Sequence, residues 1–163
     1  MHARVFLAFV LAQTWACRLS RFSLEVGLQQ QLAVDAGMDA EGIAARCVLA
    51  APTGCASFQM KHGAATIHRA FGVPIGFCGP VRDKTSSQFL KRQQRLQKSV
   101  LMIFDEFSMI GRQMAGKIVY KVAEYLGTME TDFGRAVTLG GRDVILAGDP
   151  RQACPIGEAL GIV

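Results

Sequence analysis

The sequence predicts a three-layer α/β domain built on a mainly parallel sheet, and two observations carry that expectation. Three short, continuous apolar runs, Cys47-Val48-Leu49-Ala50-Ala51, Val100-Leu101-Met102-Ile103-Phe104 and Val144-Ile145-Leu146-Ala147, each stop at a proline, acidic or Gly-Asp step, as strands buried on both faces do. Long connections separate the runs, and parallel strands need such crossovers. With 163 residues, half of them apolar, the chain is long enough for one domain of this kind and too short for a second full one.

Val5 to Ala12 is an apolar run behind Arg4, with Thr14-Trp15-Ala16 just after it. It reads as a weak signal peptide, as a buried strand or helix, or as a start foreign to the domain, and it is shorter than the roughly 20 apolar residues that span a bilayer. From Phe22 to Ala36, Leu24, Leu28 and Leu32 recur every four residues and Gly37 comes next, which predicts a helix closed by a glycine cap. Residues 1–45 are therefore set apart as a divergent N-terminal segment, and 46–163 as the domain proper. A short helical stretch is expected after Pro52-Thr53-Gly54. Residues 72–87, rich in Gly, Pro and Ser, read as a loop. Residues 88–98 place Lys91, Arg92, Arg95 and Lys98, with no acidic residue, on a predicted helix. Met114, Ile118, Val122 and Leu126 keep helical spacing up to Gly127, so a crossover helix is expected between the second and third apolar runs. There is no internal repeat and no low-complexity tract.

A charged fraction of 19% marks a compact globular chain and argues against a disordered or fibrous one. The net charge of +5 suits a polyanionic partner such as nucleic acid, although many basic proteins bind none. The five cysteines, at 17, 47, 55, 78 and 154, include no Cys-x-x-Cys pair and leave one over in any complete pairing. That argues against a zinc site or a disulfide framework and fits a reducing compartment.

In parallel α/β sheets ligands bind at the carboxyl ends of the strands, so the residues after each run are the candidates for chemistry. Asp105-Glu106 come after the second run. An apolar strand that delivers two adjacent carboxylates can place one to hold Mg²⁺ and the other to orient or deprotonate an attacking water; in isolation the pair is equally an exposed turn. Gly148-Asp149-Pro150-Arg151-Gln152 come after the third, where Gln152 can reach a terminal phosphate or the attacking water, or where the segment is an ordinary turn. Pro52-Thr53-Gly54 come after the first, with Thr66-Ile67-His68 a short way on. Backbone amides and hydroxyls at helix starts suit the phosphates of nucleic acid, while a lone histidine such as His68 is more often packed or simply exposed than a ligand.

Taken together, APTG at 51–54, TIH at 66–68, FDEFSM at 104–109 and LAGDPRQ at 146–152 resemble, in order and spacing, superfamily-one DNA helicases of the Pif1 type, with RecD and the TraA relaxase-helicases as more distant relatives. The resemblance covers residues 46 to 158. It implies part of a RecA-like P-loop NTPase domain, the first motor domain of an ATP-dependent, 5′-to-3′ DNA helicase of genome maintenance. It also implies that Asp105 is the Mg²⁺ carboxylate and Glu106 the catalytic base. Gln152 is the γ-phosphate sensor, with Gly148 and Asp149 shaping its loop. Pro52, Thr53, Gly54, Thr66 and His68 lie along a single-stranded DNA path. ATP and Mg²⁺ are the implied substrate and cofactor, and single-stranded DNA and a second RecA-like domain the implied partners, with no membrane. The implied compartment is intracellular, the nucleus or mitochondrion if the source is eukaryotic, and secretion rests only on the first sixteen residues.

The chain departs from that pattern in two places. The family's Gly-rich phosphate loop, ending in Gly-Lys-Thr or Gly-Lys-Ser, has no counterpart between Met1 and Arg46, and no lysine precedes Lys61. After Gln152 the family's Leu-Pro-Pro is replaced by Ala153-Cys154-Pro155. Because that loop makes most of the phosphate contact, and because translocation needs a second domain that closes around ATP, this chain alone is expected to be inactive. The alternative is a non-catalytic descendant that binds nucleic acid or a protein through the same surface.

Overall fold

The computed structural model describes residues 5–9, 46–60, 62–128, 138–149 and 155. The expected helix at 22–36 lies outside them, as does Gln152. Five parallel strands form one sheet: β1 (Val5–Phe9), β2 (Cys47–Ala51), β3 (Ala65–Thr66), β4 (Leu101–Phe104) and β5 (Asp143–Gly148), in the order β1-β5-β4-β2-β3. Among the described residues four helices accompany them, α1 (Gly54–Met60), α2 (Ile67–Phe71), α3 (Ser87–Lys98) and α4 (Arg112–Leu126). Of the apolar start, for which the sequence left open a leader, a buried strand or helix, or a foreign segment, Val5–Phe9 form β1 and pair along β5 with Val5 opposite Val144 and Phe9 opposite Gly148.

Strand alternation divides the sheet into two apolar faces. Val48, Ala50, Met102, Phe104, Val144 and Leu146 pack on one face with residues of α2, α3 and α4. Cys47, Leu49, Ala51, Leu101 and Ile103 pack on the other with Ala56 and Met60 of α1. This is the expected three-layer arrangement. On the thicker side Phe71 stacks on Phe104 with ring centroids 5.6 Å apart, and Phe89 meets Tyr125 at 4.9 Å. β4 begins at Leu101 and not at Val100, which is 40% exposed although its N–H donates to the Arg46 carbonyl.

Glycine ends α4 at Gly127 as the spacing predicts, and α2, which the spacing does not show, at Gly72; both adopt the left-handed conformation, with φ of 70° and 63°. At Gly72 there is a second reason. A Cβ there would lie 2.7 Å from the Tyr125 hydroxyl and 3.1 Å from Arg92 Nη1, so α2 can pack this closely on α3 and α4 only if the residue has no side chain.

The loop between Gly72 and α3 is fastened along one side of α4. Lys117 Nζ donates to the Gly76 carbonyl and Lys121 Nζ to the Gly79 carbonyl, each at 2.8 Å, and Glu124 Oε1 accepts from Val81 N–H. These residues fall four and three apart, so they line one helix face. Lys121 and Glu124 also pair with each other at 2.8 Å, their side chains 4% and 1% exposed.

α3 carries the expected cations, but they divide. Lys91 and Lys98 are exposed, whereas Arg92 and Arg95 are half-buried. Arg92 Nε donates to the Arg69 carbonyl on α2, and burial lowers the pKa of the Arg95 guanidinium, which still stays charged. Half of the predicted basic face is therefore packing.

Candidate functional site

Because all five strands are parallel, β2, β4 and β5 deliver their succeeding residues to one edge. Ala50, Phe104 and Leu146 are level across the three strands, and neighbouring strands are about 4.8 Å apart. Pro52-Thr53-Gly54, Asp105-Glu106 and Gly148-Asp149 therefore leave the sheet side by side, with the two carboxylates of β4 in the middle.

The ladder runs to the last residue before the site: Asp105 N–H donates to the Ala50 carbonyl at 3.0 Å. Glu106 then turns into the left-handed region, with φ 52° and ψ 45°, which costs a non-glycine residue roughly 1–2 kcal/mol. The next three residues hold the turn in place. Phe107–Met109 form a single 3-10 turn in which Met109 N–H donates to the Glu106 carbonyl at 3.0 Å, and Phe107 and Ser108 are buried. The Ser108 hydroxyl has no hydrogen-bond partner among the described residues. A non-glycine residue held in such a conformation is the kind of local strain that clusters at functional sites.

Gly148 closes the other side. A Cβ on it would sit 2.9 Å from Phe107 N and 3.3 Å from Glu106 Cα, and its φ is +154°. The end of β5 thus lies directly against the Glu106 turn, and Asp149, the next residue, is buried. Gly148→Ala should push the two segments apart and destabilise the fold by about 1–3 kcal/mol, the usual cost of overpacking. Urea unfolding measures this, and an unchanged midpoint would contradict so close an approach.

At the β2 and β3 side, two threonines cap two helix starts. Thr53 Oγ1 accepts from Ala56 N–H at 3.2 Å and Thr66 Oγ1 from Arg69 N–H at 3.3 Å. Thr66 stands opposite Ala51 in the sheet, so Thr53, two residues beyond Ala51, and Thr66 are near neighbours. A hydroxyl that accepts in a cap keeps its own proton for another acceptor. His68 Nδ1 lies 2.8 Å from the Val73 carbonyl, which fixes Nδ1 as the protonated nitrogen and leaves Nε2 for another partner. Arg69, next to it and exposed, was passed over in the sequence; only its position directly after the Thr-Ile-His segment signals it. Pro52 and Gly54 bound the first turn as expected. Gln152 falls outside the described residues.

Fold and edge together define a class: parallel α/β domains of the RecA-like kind, with carboxylates and a glycine turn at the strand ends. A PIF1-like helicase profile matches residues 41–160, and the chain belongs to that family. Among solved structures, two coordinating Pif1 helicases at forked double-stranded DNA are similar at 30% identity and a TM-score of 0.54, over 69% of this chain and 25% of that one. Unliganded Pif1 from Bacteroides sp gives 23% identity and a TM-score of 0.64 over 98% and 30% of the two chains. Bacteroides Pif1 with ADP-AlF3 and single-stranded DNA gives 24% and 0.58 over 99% and 32%; the last two likenesses speak to fold alone. The chain thus spans between a quarter and a third of the length of these helicases. No curated protein sequence matches it.

Proposed function

We propose that this chain is part of the first motor domain of a DNA helicase that couples ATP hydrolysis to 5′-to-3′ unwinding, in DNA repair, recombination and telomere maintenance. The observation that supports the reading most is the single edge at which Thr53-Gly54, Asp105-Glu106 and Gly148-Asp149 meet. In this reading Asp105 holds Mg²⁺, Glu106 is the base for the attacking water, Gln152 senses the terminal phosphate beside Gly148 and Asp149, and Pro52, Thr53, Gly54, Thr66 and His68 line the DNA path. The donor set suits Mg²⁺, which is commonly held by one or two carboxylates together with substrate phosphates and water. Among the described residues no group of three or more potential metal ligands gathers, so the ion would depend on the nucleotide for its remaining ligands. When bound, Mg²⁺ supplies charge neutralisation on the phosphates. The compartment this reading implies is intracellular, the nucleus or mitochondrion if the source is eukaryotic, with a second RecA-like domain as the motor's other half.

The absence of a Gly-Lys-Thr segment between Met1 and Arg46 favours a second reading, in which the same surface binds single-stranded DNA without hydrolysing ATP. Both readings predict DNA binding. Exposed cations on α2 and α3, Arg69, Lys91 and Lys98, offer about three phosphate contacts; at a slope near −0.7 each, raising salt from about 50 to about 200 mM should weaken binding roughly 20-fold. Anisotropy of a labelled oligothymidine with the full chain tests this. Salt-independent binding, or binding unchanged when all three become Gln, would remove the basis for a phosphate track here.

A further inference from the structure

We propose that Phe58 is a platform on which a base of single-stranded DNA stacks, an inference that rests on the DNA-binding reading above and adds a residue to it. α1 turns an unusual pair of faces: Ser57 is 8% exposed, while Phe58 beside it is 85% exposed. The buried polar residue is satisfied, since its hydroxyl donates to the Gly54 carbonyl at 2.9 Å. The aromatic ring is left in water, although folding gains most by burying such a side chain. Nothing in the packing of α1, which is seated on β2 and β4 through Ala56 and Met60, calls for a phenylalanine at this position.

Where the ring stands gives it a use. Gly54 and Phe58 are four residues apart and share the solvent face of the helix with Cys55 and Gln59. Phe58 therefore lies about one turn, some 5.4 Å along the axis, beyond the turn proposed to seat a phosphate. α1 itself carries no charged residue, so the ring stands on an uncharged helix face next to the Thr53-Gly54 turn. An exposed aromatic one helical turn from a phosphate seat matches the way single strands are held without sequence preference, by phosphate contact and base stacking.

The test compares the full chain with Phe58→Ala and Phe58→Trp variants, on an oligothymidine and on an abasic strand of equal length. Phe58→Ala should weaken binding to the oligothymidine roughly 5- to 150-fold, the range of one lost base stack, and Phe58→Trp should restore it. Binding to the abasic strand should be the same for all three proteins. Equal binding of the oligothymidine by the parent and the alanine variant overturns the stacking role alone and leaves the DNA track standing. An equal loss on both strands also overturns it, because Phe58 would then act through backbone contacts or through the fold. Failure of the parent to bind either strand overturns the DNA-binding reading and the stacking role with it, and leaves the exposed ring to a protein partner.

Discussion

Lys121→Met should destabilise the domain by about 3–5 kcal/mol, because it strips a buried carboxylate of its counter-charge. Glu124 has a side chain only 1% exposed and would keep the Val81 N–H as a hydrogen-bond donor but no cation. Domains of this size are stable by only about 5–15 kcal/mol, so the variant will sit close to unfolding at room temperature. The double variant Lys121→Met, Glu124→Leu removes both charges and should recover much of the loss, since a buried ion pair and an apolar pair of similar volume are often close in stability. Urea denaturation of the parent, both single variants and the double variant gives the coupling between the two positions. A Lys121→Met variant within about 0.5 kcal/mol of the parent, the range of ordinary surface substitutions, would mean that the pair is not dry.

The full chain should show no DNA-stimulated ATP hydrolysis above that of its Glu106→Gln variant. Glu106 and Asp105 can act only on a nucleotide that other groups already hold, and even one lost oxyanion donor commonly lowers turnover about 10²- to 10³-fold. The topology sharpens this expectation. β1 runs parallel to β5 and ends at Phe9, opposite Gly148, so its last residue stands at the carboxylate edge. The sequence from Val10 to Arg18 contains neither Gly nor Lys, the residues that a phosphate loop needs for close backbone approach and for charge. Turnover that rises with single-stranded DNA and disappears in Glu106→Gln would show that the nucleotide is gripped by something else.

Much of this fold could be read from the sequence because β2 and β4 are buried on both faces. Cys47 to Ala51 has no polar residue to blur its limits, and the strand has those bounds. The crossover helix was equally plain, since Ile118 and Val122 repeat on its buried side and Gly127 stops it. β3 escaped notice: two residues, Ala65 and Thr66, are too few to show a period. Val5 to Phe9 is an apolar run with no period of its own, and only its pairing with β5 shows it as a strand.

At the edge, the residue types and their order were legible, but the backbone that presents them was not. No local pattern places Glu106 in the left-handed region, and none shows that its turn lies against Gly148, far along the chain. Lys121 and Glu124 look like a solvated helical charge pair. Their burial depends on the Gly76 to Val81 loop lying over them, and that contact is non-local. Arg92 and Arg95 misled in the same way, since a run of cations does not reveal which of them turn toward the neighbouring helices.

The pairing of β1 with β5 also has a kinetic meaning. Val5 meets Val144, so β1 finds its partner only after β2, β3 and β4 have been made. The cost of closing so long a loop grows slowly with length, but contacts of such sequence separation form late and slow folding down. β2 and β4, with Cys47 opposite Leu101, are complete well before that and can start the sheet on their own. During synthesis the Val5 to Phe9 segment therefore waits as an unpaired apolar strand, the form of chain most prone to misassociation and most in need of chaperones.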